Sequence, residues 1–149
     1  MTHDDLVEAA ERIRAEACLA DSRLAELSLA GIGWATVEGE RAIRELDAGL
    51  APDAGLAPDW GAGPQPSWTE LDRDPTLGAR VWRRDTAGPP GRPVVLVLEP
   101  DTEGRLAASL ARFGEGVAVI YLGDGPLGPG RLVPGGKSWG PHVIVLADP

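Results

Sequence analysis

The chain predicts an α+β fold, and three observations carry that reading. Near the N-terminus Leu6, Ala10, Ile13, Ala17, Ala20, Leu24 and Leu27 recur at alternating spacings of four and three, the period of a helix with one apolar side. Residues 93–99 and 117–122 are short, continuous apolar runs, as in strands covered on both faces. Residues 77–84, Leu-Gly-Ala-Arg-Val-Trp-Arg-Arg, alternate with period two, as strands do.

Each element has its own signals. Residues 3–28 predict a helix, with Thr2 as its cap, Asp5 three residues on, and Asp4 and Asp5 in the first turn, where acids favour the helix dipole. Three of the seven stripe residues are Ala, too little apolar surface for a strong free coiled coil. The stripe therefore lies either on the domain's own sheet or at a subunit contact, and an assembly role is the expectation tested below. Residues 31–37, Gly-Ile-Gly-Trp-Ala-Thr-Val, read as a strand. Glu38 to Leu46 read as a helix with Ala42, Ile43 and Leu46 on one side and Gly49 as C-cap. Residues 49–59 hold the pentapeptide Gly-Leu-Ala-Pro-Asp twice, and a Pro in each copy makes this a loop. The strand at 77–84 follows, then the connection 85–92, then the strand 93–99. Asp101 is expected to cap a helix that turns Leu106, Leu110 and Phe113 inward and stops at Gly114. Strands at 117–122, 131–133 and 142–147 complete the order α-βα-(β)ββ-α-βββ, with helices on one face of a mixed sheet.

The chain's 149 residues make one domain large enough for a core. A net charge of −9 and pI near 4.6 set the surface against nucleic acid and anionic membranes. No run of 18 apolar residues occurs, so no transmembrane helix is expected. The acidic N-terminus lacks the positive region and apolar core of a signal peptide. The single Cys18 cannot form an internal disulfide. Together these features predict a cytoplasmic protein.

Residues 94–122, VVLVLEPDTEGRLAASLARFGEGVAVIYL, resemble the joint between the two βαβββ modules of the vicinal-oxygen-chelate superfamily. That superfamily includes the glyoxalases, methylmalonyl-CoA epimerase and the bleomycin-resistance proteins. Glu99-Pro100 matches the end of its L-E-P strand, and Gly114-Glu115-Gly116 its G-E-G before the next strand. GIGWATVEGERAIREL is similar to its opening strand and helix, beginning at Gly31. The resemblance covers residues 30–149, with residues 1–29 as an added helix. It implies a cup-shaped sheet with helices on the other face, a second module shortened because 123–142 is rich in Gly and Pro, and a homodimer. It also implies four metal-ligand positions. These fall on Gly31, Leu96, Ala118 or Val119, and Val145 or Leu146, none of which carries the N, O or thiolate donor a divalent cation needs. A metal-free, cofactor-free member is the expectation.

Other motifs yield less. Gly136-Lys137-Ser138-Trp139-Gly140 fits G-x-S-x-G, yet Pro141 and a strand follow where a nucleophile elbow needs a helix. A polar turn is the better reading. The segment containing Gly-Gly-Lys-Ser misses the phosphate-loop spacing, since Arg131 stands where Gly is required. His3 and His142 with one Cys make no metal-ligand spacing. His142 opens a strand beside a Gly-rich loop, so it either faces a ligand or is an ordinary strand-end His. Glu99 is either a catalytic carboxylate raised by burial or a helix-entry residue accepting amide hydrogen bonds.

Strand alternation, with Gly31 pointing into the cup, sends Trp34 to the helix side. Placing the apolar Leu77, Ala79 and Val81 against helices turns Arg80, Trp82 and Arg84 toward the cup, and Tyr121 joins them by alternation from Val119. The expected ligand-binding set is Arg80, Trp82, Tyr121, Trp139 and His142, with a flat organic molecule between Trp82 and Tyr121. Two function classes follow. The first is a protein that sequesters or carries a small aromatic molecule. The second is a metal-independent isomerase or lyase using Glu99, His142 or Arg80.

Overall fold

The computed structural model describes residues 2–50, 67–85, 92–101, 103–128, 130–133 and 140–146. Its elements run α1 (His3–Ala20), a 3-10 turn (Ser22–Glu26), β1 (Leu29–Ala35), α2 (Gly39–Leu50), β2 (Ser67–Asp74), β3 (Ala79–Asp85), β4 (Val94–Pro100), α3 (Arg105–Phe113), β5 (Gly116–Leu122), β6 (Arg131–Leu132) and β7 (His142–Val145). Among these residues seven strands form one mixed sheet, in the order β2-β3-β4-β1-β5-β7-β6. The sheet curls into a half-barrel, so the fold is α+β as the sequence predicts.

The pairing divides the sheet into two related halves. β1 lies parallel to β4, and β3 lies antiparallel to β2 and β4. The segment β1-α2-β2-β3-β4 is therefore a complete βαβββ unit. In the other half β5 lies parallel to β7, which pairs antiparallel with β6. Thus β5, β6 and β7 stand to one another as β1, β3 and β4 do. The halves meet at the antiparallel β1–β5 pair. Among the described residues the second half has no counterpart of α2 or β2.

The capping box at the start of α1 forms as its sequence suggests. Thr2 Oγ1 accepts from the Asp5 amide at 3.2 Å, and Asp5 Oδ2 accepts from the Thr2 amide at 3.0 Å, satisfying two orphan donors. The helix is shorter than the apolar stripe predicts. It ends at Ala20 because Asp21 is extended, at φ −145°, and its Oδ1 accepts from the Arg23 amide at 3.1 Å. A side chain that bonds nearby backbone in this way competes with the helix.

The stripe packs on the chain's own sheet rather than standing free. Leu6, Ala10 and Leu24 are buried with Ile32, Val95, Val97, Ile120, Leu122 and Val143, and with Ala42, Leu46 and Leu50 of α2. This first core covers the face that carries α1 and α2. The opposite, concave face has a second core of Leu77, Ala79, Val81, Leu96, Leu98, Val119, Tyr121 and Ile144, which Leu106 of α3 joins. The helices therefore divide between the faces, with α1 and α2 behind the sheet and α3 across one end of the cup. The Leu106 amide donates to the Leu77 carbonyl at 3.3 Å, tying α3 to the β2–β3 turn. The N-cap of α3 is Gly104, not Asp101. Asp101 pairs with Arg73 instead, and Phe113, expected inward, is 58 % exposed.

β2 is an edge strand. Its sequence, Ser-Trp-Thr-Glu-Leu-Asp-Arg-Asp, is mostly exposed and strongly charged, which guards an open edge against pairing with another chain. The doubled pentapeptide beyond Leu50, the connection 86–91, and the Gly-Lys-Ser-Trp segment at 136–139 lie outside the described residues.

Candidate functional site

β1 makes room for a site by having almost no side chains on its concave side. A Cβ at Gly31 would meet Leu127 Cδ2 and Leu96 Cδ1 at 3.0 Å and Tyr121 Cδ2 at 3.3 Å. A Cβ at Gly33 would meet Leu98 Cδ1 at 2.7 Å. Neighbouring strands thus lay their side chains over a bare central strand. Beside them is a cavity of about 150 Å³, walled by Leu71, Val81, Leu96, Tyr121 and Leu127, with Asp72, Asp74 and Gly128 completing it. A void of that size, lined by aliphatic residues, holds a benzene-sized molecule. It is smaller than the roughly 300 Å³ at which pockets for drug-sized ligands begin.

Two buried polar residues, Asp74 and Tyr121, stand in the wall of the cavity beside the exposed Asp72. Asp74 is 2 % exposed, and its Oδ1 accepts from the Thr76 amide at 2.8 Å and the Leu77 amide at 3.0 Å. This Asx turn fixes the carboxylate in place. Tyr121 is 1 % exposed. Burial, and secondarily the charge of Asp74, pushes its phenol well above the usual range, because a phenolate would be poorly solvated and repelled there. Tyr121 therefore presents a neutral hydroxyl, able to donate and to accept.

Tyr121 faces the cup as alternation predicts, but Trp82 and Arg80 do not. Ala35 pairs with Leu98, and Leu98 pairs with Val81. Side chains at paired positions share a face, so Val81 belongs to the concave side and Trp82 to the side of α2. A Cβ on Gly39, the first residue of α2, would meet Trp82 Cζ3 at 2.8 Å. Arg80 is exposed, stacks over the Trp82 ring at 4.7 Å and pairs with Glu70 at 3.2 Å. The expectation failed because both faces of this sheet are apolar. The Leu77-Ala79-Val81 face meets α3 and the concave core, so its apolarity did not identify the α2 side.

Arg84 shares that outer face. It is 3 % exposed, and its Nε donates to Asp47 Oδ1 at 3.1 Å, where Trp68 Nε1 also donates at 3.1 Å. Trp34 packs on the helix side as predicted. Trp139 lies outside the described residues.

Glu99 accepts a hydrogen bond from a backbone amide. Its Oε2 accepts from the Gly39 amide at 2.8 Å, at the start of α2, and Arg80 stands 3.9 Å from its Oε1. Of the two readings of Glu99, amide acceptance is the one observed, though at α2 rather than α3. Glu115 is similar. It accepts from the Thr36 hydroxyl and from Arg41 Nη2 at 2.6 Å. The Thr36 bond, then that of Arg41, holds its carboxyl below the usual range.

His142 is buried on the concave side, but outside the cavity wall. It hydrogen-bonds to the backbone of Arg105 at the start of α3, and burial lowers its pKa. Its Nε2 has no hydrogen-bond partner among the described residues.

The four positions at which the resemblance implies metal ligands do converge on the cup. Gly31 abuts Leu96, and Leu96, Ala118, Val119 and Leu146 are buried in the concave core. Their side chains offer no donor atom, so they do not fit a divalent cation. Among the described residues no group of three or more His, Cys, Asp or Glu is placed to hold a metal ion. Nor is any helix among them long and apolar enough to cross a membrane.

Sequence reasoning missed Asp74, Leu71 and Leu127. Asp-Pro-Thr-Leu-Gly at 74–78 is a turn signal that marks Asp74 as an amide acceptor. Leu127 sits in a Gly/Pro loop with no periodicity to place it. In comparisons with known proteins, the chain matches no family model and no curated protein.

Proposed function

We propose that the protein binds a small organic molecule in the cup of a metal-free fold of the vicinal-oxygen-chelate type, for sequestration or carriage. The observation that carries the reading is the aliphatic cavity beside β1, with Tyr121 and Asp74 among the residues of its wall. Convergent polar groups on an apolar concave surface are the usual form of a ligand site. The topology supports the family: a βαβββ unit whose first and last strands pair in parallel, joined through β1 and β5 to a shortened second copy. The lack of a donor atom at the four ligand positions favours binding over the metal-dependent chemistry of the superfamily.

The ligand is at most a single ring or a short branched chain, given about 150 Å³ of space. Glu99 and His142 stand outside the cavity wall, so binding is preferred to catalysis. A homodimeric assembly and a cytoplasmic location belong to the same proposal; analytical ultracentrifugation and cell fractionation test them.

A fragment screen read by methyl NMR tests the site. Saturable shifts at Leu71, Val81, Leu96 and Leu127 are expected. Hits that all map elsewhere, or no hits at all, would overturn the reading.

A further inference from the structure

One part of the cavity wall is not supplied by the sheet. Asp74, Val81, Leu96 and Tyr121 line the cavity and are buried in β2, β3, β4 and β5. Leu71, Asp72, Leu127 and Gly128 line it too, and solvent reaches them. The buried set is therefore the floor, and the mouth lies between β2 and the segment that joins β5 to β6. On one rim Leu71 is paired with Val81 in the β2–β3 ladder. On the other rim Leu127 and Gly128 belong to no strand.

The joining segment is pinned at both ends. The Gly123 amide donates to the Ser28 carbonyl at 2.8 Å, and the Ser28 hydroxyl donates to Asp124 Oδ1 at 2.9 Å. At the other end Gly130 lies so close to β7 that a Cβ there would stand 2.5 Å from the Val145 carbonyl oxygen. Between the pins, among the described residues, no backbone hydrogen bond ties Gly125, Pro126, Leu127 or Gly128. A Cβ on Gly128 would meet nothing within 4 Å. Backbone with so few bonds and contacts opens at low cost. The Leu127 side chain is what seats this stretch. It packs against the concave core, and its Cδ2 lies 3.0 Å from where a Cβ on Gly31 would stand.

We propose that Leu127 is the gate of the cup. A guest enters and leaves between β2 and the β5–β6 segment, and each passage requires the Leu127 side chain to leave the core and return. This rests on the reading of the cavity as the ligand site, and the experiment separates the two.

Benzene is the probe. Its exchange with the wild-type protein is followed by NMR at the Val81 and Leu96 methyls, which gives association and dissociation rate constants. Leu127→Ala should raise the association rate constant about tenfold, the cost of taking roughly half of a Leu side chain out of the core. Leu110→Ala loosens α3, the other element that covers the cup, and should leave association within about twofold. Pro126→Gly keeps the Leu127 side chain but frees the backbone beside it, and should speed association and dissociation by similar factors. If benzene binds and Leu127→Ala leaves association unchanged, the cavity stands and the gate is wrong. If Leu110→Ala speeds association as much as Leu127→Ala does, guests pass under α3 and the gate is equally wrong. If benzene shifts neither Val81 nor Leu96 in the wild-type protein, both inferences fall. Should Leu127→Ala not fold, Pro126→Gly decides.

Discussion

Leu6→Ala separates a core role for α1 from an assembly role. Leu6 is fully buried in the core it shares with Leu24, Ile32, Ile120 and Leu122. Truncation removes three carbons, about 2.4 kcal/mol of transfer free energy at ~0.8 kcal/mol per carbon. A cavity left by incomplete relaxation adds to this, and buried Leu→Ala changes span about 2.7–5 kcal/mol. A loss of about 3–4 kcal/mol is expected, against a typical total stability of about 5–15 kcal/mol. Urea denaturation followed by Trp fluorescence reads it as a lower midpoint at unchanged slope. Leu19, 89 % exposed on the same helix, is the control. Leu19→Ala should stay within about 0.5 kcal/mol of wild type. A Leu6→Ala loss below about 1 kcal/mol, accompanied by a change in oligomeric mass, would refute the core assignment and restore the assembly role.

Three further changes test other contacts. Gly39→Ala gains helix propensity of about 1 kcal/mol, yet its methyl would meet the Trp82 ring at 2.8 Å. A net loss of about 1–2 kcal/mol in thermal melts is expected, and a stabilised variant would contradict the placement of Trp82 beneath α2. Asp47→Ala leaves Arg84 buried without its carboxylate and Trp68 Nε1 without its acceptor. With Asp47 itself 30 % exposed, roughly 2–4 kcal/mol should be lost, toward the lower side of the range for broken buried pairs; a loss below about 1 kcal/mol would make it an ordinary surface pair. His142 is held below its ordinary value of 6.5 by burial. Above that pH both folded and unfolded chains are neutral at this position. Below it the unfolded chain takes up a proton that the folded chain does not, so stability falls as pH drops from 6.5 toward the lowered folded value. His142→Gln should flatten that segment of the stability–pH curve, and an unchanged slope would show that another group titrates there.

The parts of the fold legible in the sequence were those where one physical signal had no competitor. The apolar runs around Leu96 and Ile120 admitted only buried strands, and the Thr2–Asp5 capping box started α1 where expected. The end of α1 was misread because Asp21 interrupts a stripe whose spacing continues through Leu24 and Leu27. β2 was hard to see because an edge strand needs few apolar residues, and Trp68 and Leu71 are too far apart to show alternation. In the candidate site, Tyr121 was legible because β5 continues without interruption from Val119. The face of Trp82 was not, since only the pairing of Val81 with Leu98 decides it. Asp74 became visible as a site residue only once the half-barrel brought the β2 edge round to Tyr121.

The bareness of β1 changes what determines ligand size. Leu96, Tyr121 and Leu127, which wall the cavity, lie within 3.0–3.3 Å of where a Cβ on Gly31 would stand. Any side chain at that position would displace all three. The room left for a guest is thus a remainder kept by one glycine, and evolution or engineering can reshape it at Gly31 without altering strand number or curvature.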